Sequence, residues 1–143
     1  MLSRLIYHSR VVGLCSADML NDILASSERN NARDEVTGAL LFNPEWFVQI
    51  LEGRREILSK TLFRLFPDPR HAEVAIADVR PIEERMFSNW WMGAAAIEGL
   101  DARFLSAQGI DEQFDPRRLN GEAMLMMALA VSDTLTSRID DEA

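Results

Sequence analysis

The stretch Trp46-Phe47-Val48-Gln49-Ile50-Leu51-Glu52-Gly53 restricts the fold of this chain more than any other. Its alternation puts Phe47, Gln49 and Leu51 on one face of a strand and Trp46, Val48 and Ile50 on the other, so both faces are largely apolar and need cover. Gln49 is the anomaly in this pattern. A carboxamide between Phe47 and Leu51 costs about 1–3 kcal/mol if buried without partners, and its NH2 and C=O serve a donor and an acceptor at once. Something polar therefore lies against this face.

The flanking segments supply the rest of a sheet. Leu2 to His8 alternates as a first strand with Leu5 and Tyr7 on one face. Ser16 or Asp18 caps a helix carrying Leu20, Ile23, Leu24 and Ser27 at helical spacing and ending near Arg29-Asn30-Asn31. Val36 to Phe42 is a second strand, and Asn43-Pro44-Glu45 turns the chain back into Trp46–Gly53. Arg54 to Phe66 repeats Ile57, Leu58, Thr61, Leu62 and Leu65 at helical spacing until Pro67-Asp68-Pro69 stops it. Ala72 to Val79 is a fourth strand, Pro81 to Asn89 a polar connection, and Trp90 to Ile97 a fifth strand.

Strand-helix-strand-strand-helix-strand with one added strand predicts an α+β, ferredoxin-like sandwich: a five-stranded mixed sheet with two helices on one face. The other face needs a cover, which residues 98–143 supply. Asp101 to Gln108 is a short helical candidate, and Asn120 caps a longer helix from Gly121 to about Arg138. Met124, Leu125, Met126, Met127, Leu129, Val131 and Leu135 make that helix apolar nearly all round, which predicts burial in the fold or at a subunit contact. The expected organisation is a core over 1–97 and a helical extension over 98–143.

With 143 residues, 48% of them hydrophobic, one compact domain can bury its own core. The balance of 15 Lys+Arg against 23 Asp+Glu, a formal charge of -8, disfavours nucleic acid and anionic membrane as partners. Cys15 stands alone, so no internal disulfide forms and a reducing compartment fits. No signal-type segment opens the chain and no apolar run approaches the ~20 residues of a membrane helix, which predicts a cytoplasmic protein. Phosphate-loop, dinucleotide, nucleophile-elbow and metal-ligand signatures are missing, so neither a metal site nor a conventional enzyme is expected.

Asn30-Asn31 reads either as ordinary helix-end turn chemistry or as a pair of side-chain amides for the donor-acceptor edge of a heterocycle. In this fold a flat ligand slotted between the two helices would meet Tyr7, Gln49 and those amides together. A small-molecule-binding regulator or small enzyme, with Arg10, Arg33 or Arg70 holding an anion, is the reading that fold alone supports.

The ordered segments Leu5-Ile6-Tyr7-His8-Ser9, Asn30 to Gly38, Phe47 to Gly53, Asp68-Pro69-Arg70-His71 and Arg85 to Met92 resemble the BLUF family, blue-light sensors using flavin. The tail through Phe114-Asp115-Pro116-Arg117 and the final helix resembles its short stand-alone members. The resemblance implies a photoreceptor rather than an enzyme. It implies a non-covalent oxidised flavin, FAD most often with FMN or riboflavin as alternatives, held between the two helices. Asn31 would bind the pyrimidine edge with Asn30 beside it, Ile23 would pack on the ring, and Arg64, Asp68, Arg70 and His71 would lie at its outer or phosphate side. Tyr7 would donate an electron and a proton to the photoexcited flavin with Gln49 as relay, by rotation or tautomerisation. Trp90 and Met92 match the family's tryptophan and methionine on the fifth strand, with Trp91 a second candidate indole, and would pass the change to the C-terminal helices. A homo-oligomer and a separate downstream response protein are the partners so implied.

Overall fold

The computed structural model describes residues 1–99 and 114–140. In chain order it contains β1 (Leu2–Val11), α1 (Ala17–Asp34), β2 (Thr37–Phe42), β3 (Trp46–Arg54), α2 (Arg55–Leu65), β4 (His71–Pro81), β5 (Gly93–Ala96) and α3 (Gly121–Ala130). The strands form one sheet in the order β4-β1-β3-β2-β5, antiparallel except for the parallel pair of β2 and β5. This is the ferredoxin-like α+β arrangement expected.

The alternation of β3 decides what covers each face. Leu5, Tyr7, Leu40, Phe47 and Leu51 pack with Leu20 and Leu24 of α1 and Leu58 of α2. Ile6, Val48 and Ile50 pack on the opposite face with Met124, Met127 and Ala128 of α3. The hairpin between β2 and β3 closes because Asn43 Oδ1 accepts from the backbone N–H groups of Glu45 at 2.8 Å and Trp46 at 2.7 Å, an Asx turn.

The ends of both outer helices differ from expectation. Ser16 caps α1, its side chain accepting from the Met19 N–H, but the helix runs past Asn30-Asn31 to Asp34. Glu35 takes the left-handed terminal conformation, φ 56°, and its N–H bonds to the Asn31 carbonyl, so the asparagines keep helical geometry and are not the turn itself. The last helix stops at Ala130 rather than near Arg138. A 3-10 turn over Ser132–Thr134 follows, held by the Thr134 hydroxyl donating to the Val131 carbonyl, and Leu135 is extended. Met126 and Leu129 remain 44% and 40% exposed, so α3 is buried on one side rather than all round.

The fifth strand covers only Gly93–Ala96, and Trp90 and Met92 precede it. Turn hydrogen bonds compete with strand pairing here: the Trp90 N–H donates to the Phe87 carbonyl at 3.1 Å, and the Trp90 carbonyl accepts from Gly38 N–H at 3.0 Å. The helix expected over Asp101–Gln108 lies outside the described residues. No helix among the described residues is long and apolar enough to cross a membrane.

Candidate functional site

Antiparallel register places Tyr7 directly opposite Gln49, on the face that α1 and α2 cover. Both side chains are buried, and the Tyr7 hydroxyl donates to Gln49 Oε1. The other end of the carboxamide, Nε2, donates to the Met92 sulfur at 3.6 Å, within reach for a weak sulfur acceptor. The donor and acceptor demanded by a buried glutamine are thereby met from opposite sides.

Beside this pair lies a cavity of about 230 Å³ between the two helices. Helix α1 contributes Ile23, Ser26, Ser27, Asn30 and Asn31, the i, i+3, i+4, i+7, i+8 stripe of one helical face. Thr61, Arg64 and Leu65 line it from α2, followed by Asp68, Arg70 and His71 from the connection to β4 and its first residue. Tyr7, Leu40, Phe47, Gln49 and Leu51 form its floor. Thus Tyr7, Ile23, Asn30, Asn31, Gln49, Arg64, Asp68, Arg70 and His71, all nominated from sequence, border one space. Trp90, Trp91 and Met92 do not line it.

Seven further lining residues, Ser26, Ser27, Leu40, Phe47, Leu51, Thr61 and Leu65, are not among the site residues expected from sequence. The helical stripe that starts at Ile23 and the i, i+3, i+4 series from Thr61 would have identified most of them.

The polar groups of the rim fix one another. His71 Nε2 donates to the Leu65 carbonyl at 2.7 Å, and its Nδ1 meets the buried Ser9 hydroxyl at 2.8 Å, so the ring ties the end of α2 to β1. It also stands edge-on to the Tyr7 ring, with centroids 6.3 Å apart. Asp68 accepts from the Arg70 N–H and guanidinium, with N–O distances from 2.5 to 3.2 Å. The Arg70 hydrogen bond is the main reason that the Asp68 carboxyl is held below the usual carboxylate range. Burial, and secondarily the Asp68 charge, push the Tyr7 phenol well above its ordinary value, so the OH keeps its proton. At the other side Arg64 reaches Asp34 at 3.6 Å.

Asn31 is buried and borders the space between the helices, and its Nδ2 donates to the Trp91 carbonyl at 2.8 Å. It therefore links the cavity to the segment that ends at Met92. Trp90 packs beside Gly93, where an added Cβ would lie 2.9 Å from the indole, and Trp91 is 44% exposed. Of the three residues before β5, Met92 alone bonds to Gln49. The arginines suggested for an anion are each paired with a carboxylate: Arg10 with Glu73, Arg33 with Asp34 and Arg70 with Asp68.

Comparison with known proteins gives this geometry a family. The family model described as "BLUF: Sensors of blue-light using FAD" matches residues 2–93. The photoactivated adenylate cyclase subunit beta of Euglena gracilis is 32% identical over 112 residues, 78% of this chain but 13% of that protein. The blue light- and temperature-regulated antirepressor BluF of Escherichia coli (strain K12) is 30% identical over 105 residues, 72% of this chain and 24% of that protein. The chain thus spans a quarter or less of the length of these curated relatives. Among solved structures, the dark state of BlrB, a BLUF protein, superposes with a TM-score of 0.71 at 32% identity, covering 92% of this chain and 96% of that one. The photo-activated state of BlsA superposes with a TM-score of 0.81 at 23% identity, over 98% and 99% of the two chains, a likeness of fold. The chain belongs to the BLUF family of flavin-binding blue-light sensors.

Proposed function

We propose that this chain is a blue-light sensor in which Tyr7 and Gln49 convert photon absorption by an oxidised flavin into a new hydrogen-bond arrangement, read through Met92. The single observation that carries this reading is the chain of contacts Tyr7–Gln49–Met92 beside the cavity. The residues present fit a flavin. Asn30, Asn31 and the Gln49 amide suit the alternating donors and acceptors of its pyrimidine edge. Ile23, Leu40, Phe47, Leu51 and Leu65 offer apolar walls for the rings, and Arg64 and Arg70 stand at the rim on the side of the phosphates of FAD, which would share them with Asp34 and Asp68. The cavity suits a ring system whose chain leaves by the rim, and the family description supports FAD, with FMN or riboflavin as alternatives.

When bound and excited, the flavin supplies a strong electron acceptor. Tyr7 is the oxidisable side chain, and its hydroxyl proton already points along a hydrogen bond to Gln49 Oε1. Loss of an electron from Tyr7 to the excited flavin would release that proton into the carboxamide, and return of both to Tyr7 would let Gln49 change its donor and acceptor ends, by rotation or tautomerisation. Rotation would present Oε1 rather than Nε2 to Met92 and the bond to sulfur would be lost, whereas tautomerisation would leave Nε2 in place with one proton fewer and so alter that bond. Asn31 holds the neighbouring Trp91 carbonyl meanwhile.

The signal has a physical exit. Two residues beyond Met92, Ala94 exchanges two backbone hydrogen bonds with Thr136, at 2.8 and 3.0 Å. The same tail returns to the site's own helix, where Asn21 of α1 accepts from the Ile139 N–H and donates to its carbonyl, both at 2.8 Å. A shift of β5 relative to α1 thus loads the tail from both ends, which supports output through the fifth strand and residues 98–143 to a separate response protein or a second copy of the chain. No output activity of its own is assigned to the chain.

Extraction of the bound chromophore and its mass identifies the flavin, FAD being expected; a colourless protein indifferent to added flavin refutes the assignment. Amide exchange in darkness and under blue light tests the exit, with faster exchange under light expected for 93–96 and 132–139 and unchanged exchange there contradicting it.

A further inference from the structure

The segment that delivers Met92 to Gln49 is pinned at its start by a buried carboxylate on the same strand. Glu52 follows Gln49 by three residues, so its side chain lies on the opposite face of β3. It is fully buried, and Arg4 stands directly across from it in register. Arg4 donates from Nε at 3.0 Å, with its second nitrogen at 2.9 Å. The remaining acceptor capacity goes to backbone: Glu52 Oε1 accepts from the N–H groups of Met86 at 2.9 Å and Phe87 at 2.8 Å. Arg85, the residue before them, reaches back with one nitrogen to the Thr37 hydroxyl at 2.9 Å and the Glu52 carbonyl at 2.8 Å, and with the other to the Glu35 carbonyl at 2.7 Å.

The two side chains thus form a reciprocal clamp. Glu52 holds the backbone at Met86 and Phe87, and Arg85 holds the β3 backbone at Glu52, the Thr37 hydroxyl at the start of β2 and the carbonyl of Glu35, which ends α1. Downstream, three further polar contacts among the described residues tie the segment to the rest of the fold: Gly38 N–H to the Trp90 carbonyl, Asn31 to the Trp91 carbonyl, and Gln49 to Met92. A buried ion pair is weak support for stability, since its desolvation offsets its attraction. It does fix geometry, because removing either partner leaves an unpaired buried charge.

We infer that Glu52 is a positioning residue for the light response: with Arg85 it sets the path of residues 86–92 so that the Met92 sulfur meets the Gln49 amide. This rests on the Tyr7–Gln49–Met92 reading above. Neither Glu52 nor Arg85 borders the cavity, so both act through Met92 and not on the flavin.

The test is a double-mutant cycle on the thermal return to the dark spectrum after a blue-light pulse, using the flavin-loaded full chain. Glu52→Gln and Met92→Leu are made singly and together. Because Glu52→Gln can fail to fold, Arg85→Met, which opens the same clamp without leaving Glu52 uncompensated by Arg4, is run in parallel. The expected result is that each clamp variant changes the recovery rate at least about three-fold, roughly half the factor of ten that 1.36 kcal/mol represents on a logarithmic scale, when Met92 is present. In the Met92→Leu background the change shrinks to within experimental error. Equal changes in both backgrounds, or no change in either, overturn the positioning role while leaving the photosensor reading intact. A wild-type chain that binds flavin but shows no light-induced shift overturns both.

Discussion

The Gln49 amide donates to the Met92 sulfur at 3.6 Å, so the residue that leads into β5 is held by the same carboxamide that accepts the Tyr7 hydroxyl. A thioether is a weak acceptor, which makes this contact easily exchanged while the surrounding packing stays closed.

Met92→Leu conserves volume but leaves the buried Gln49 Nε2 without its sulfur acceptor, at a cost of about 1–3 kcal/mol. Thermal unfolding should show that loss of stability with flavin still bound. The light-induced rise in amide exchange over Gly93–Ala96 should largely vanish, because an exchanged Gln49 no longer changes its bond to that segment.

Asn31→Ala removes a buried amide that bonds the Trp91 carbonyl at the edge of the cavity. Leaving that carbonyl unpaired costs roughly 1–3 kcal/mol of stability, and loss of the hydrogen bond proposed between the Asn31 amide and the flavin's polar edge should separately weaken flavin binding, about ten-fold for 1.4 kcal/mol. Titration followed by flavin fluorescence measures this, and unaltered affinity would place the ring's polar edge elsewhere.

Gly93 carries a close approach of the segment to the tail. A Cβ there would stand 2.9 Å from the Trp90 ring and 3.1 Å from the Leu135 Cβ. Gly93→Ala should cost about 1–3 kcal/mol by overpacking, seen as a lower denaturation midpoint, and should speed exchange of the Ala94 and Thr136 amides in darkness.

His8 predicts an acid-sensitive stability. Its ring is buried edge-on to Trp46, and Nδ1 finds no partner among the described residues. Arg10 and Arg117 lie over the same indole at 4.3 and 5.2 Å. Burial lowers the His8 pKa below its ordinary 6.5, Asp115 opposing and Arg117 adding to the effect. A depressed folded-state value means that stability is full above the unfolded value and falls as pH drops below it. The wild-type melting temperature should therefore fall more between pH 7 and pH 5 than that of His8→Phe, which keeps a ring and cannot titrate.

How far these relationships were legible depends on whether they are local. Alternation in β3 and the hairpin residue Asn43 act over a few positions, and so the sheet face of Gln49 followed from sequence. The stripe through Ile23, Asn30 and Asn31 is likewise a property of one helix. The limits of β5 were not legible, because an apolar run from Trp90 to Ile97 reads as a strand, while bonds from Gly38 and Asn31, distant in sequence, take the backbone of Trp90 and Trp91 out of the sheet. At the early end of α3 the Val131 carbonyl takes both the N–H and the hydroxyl of Thr134, a 3-10 closure that apolar spacing does not signal. Glu52 was equally hidden: within its strand it reads as the polar end of a run, and only Arg4 and the segment after Arg85 give it a role.

The most direct test of the central claim is the visible spectrum of the purified, flavin-loaded protein before and after blue light, recorded for the wild type, Tyr7→Phe and Gln49→Leu. The account predicts a small red shift that reverses in darkness in the wild type and disappears in both variants. A wild type that bleaches to reduced flavin without a shift, or a shift that survives in Gln49→Leu, would contradict it.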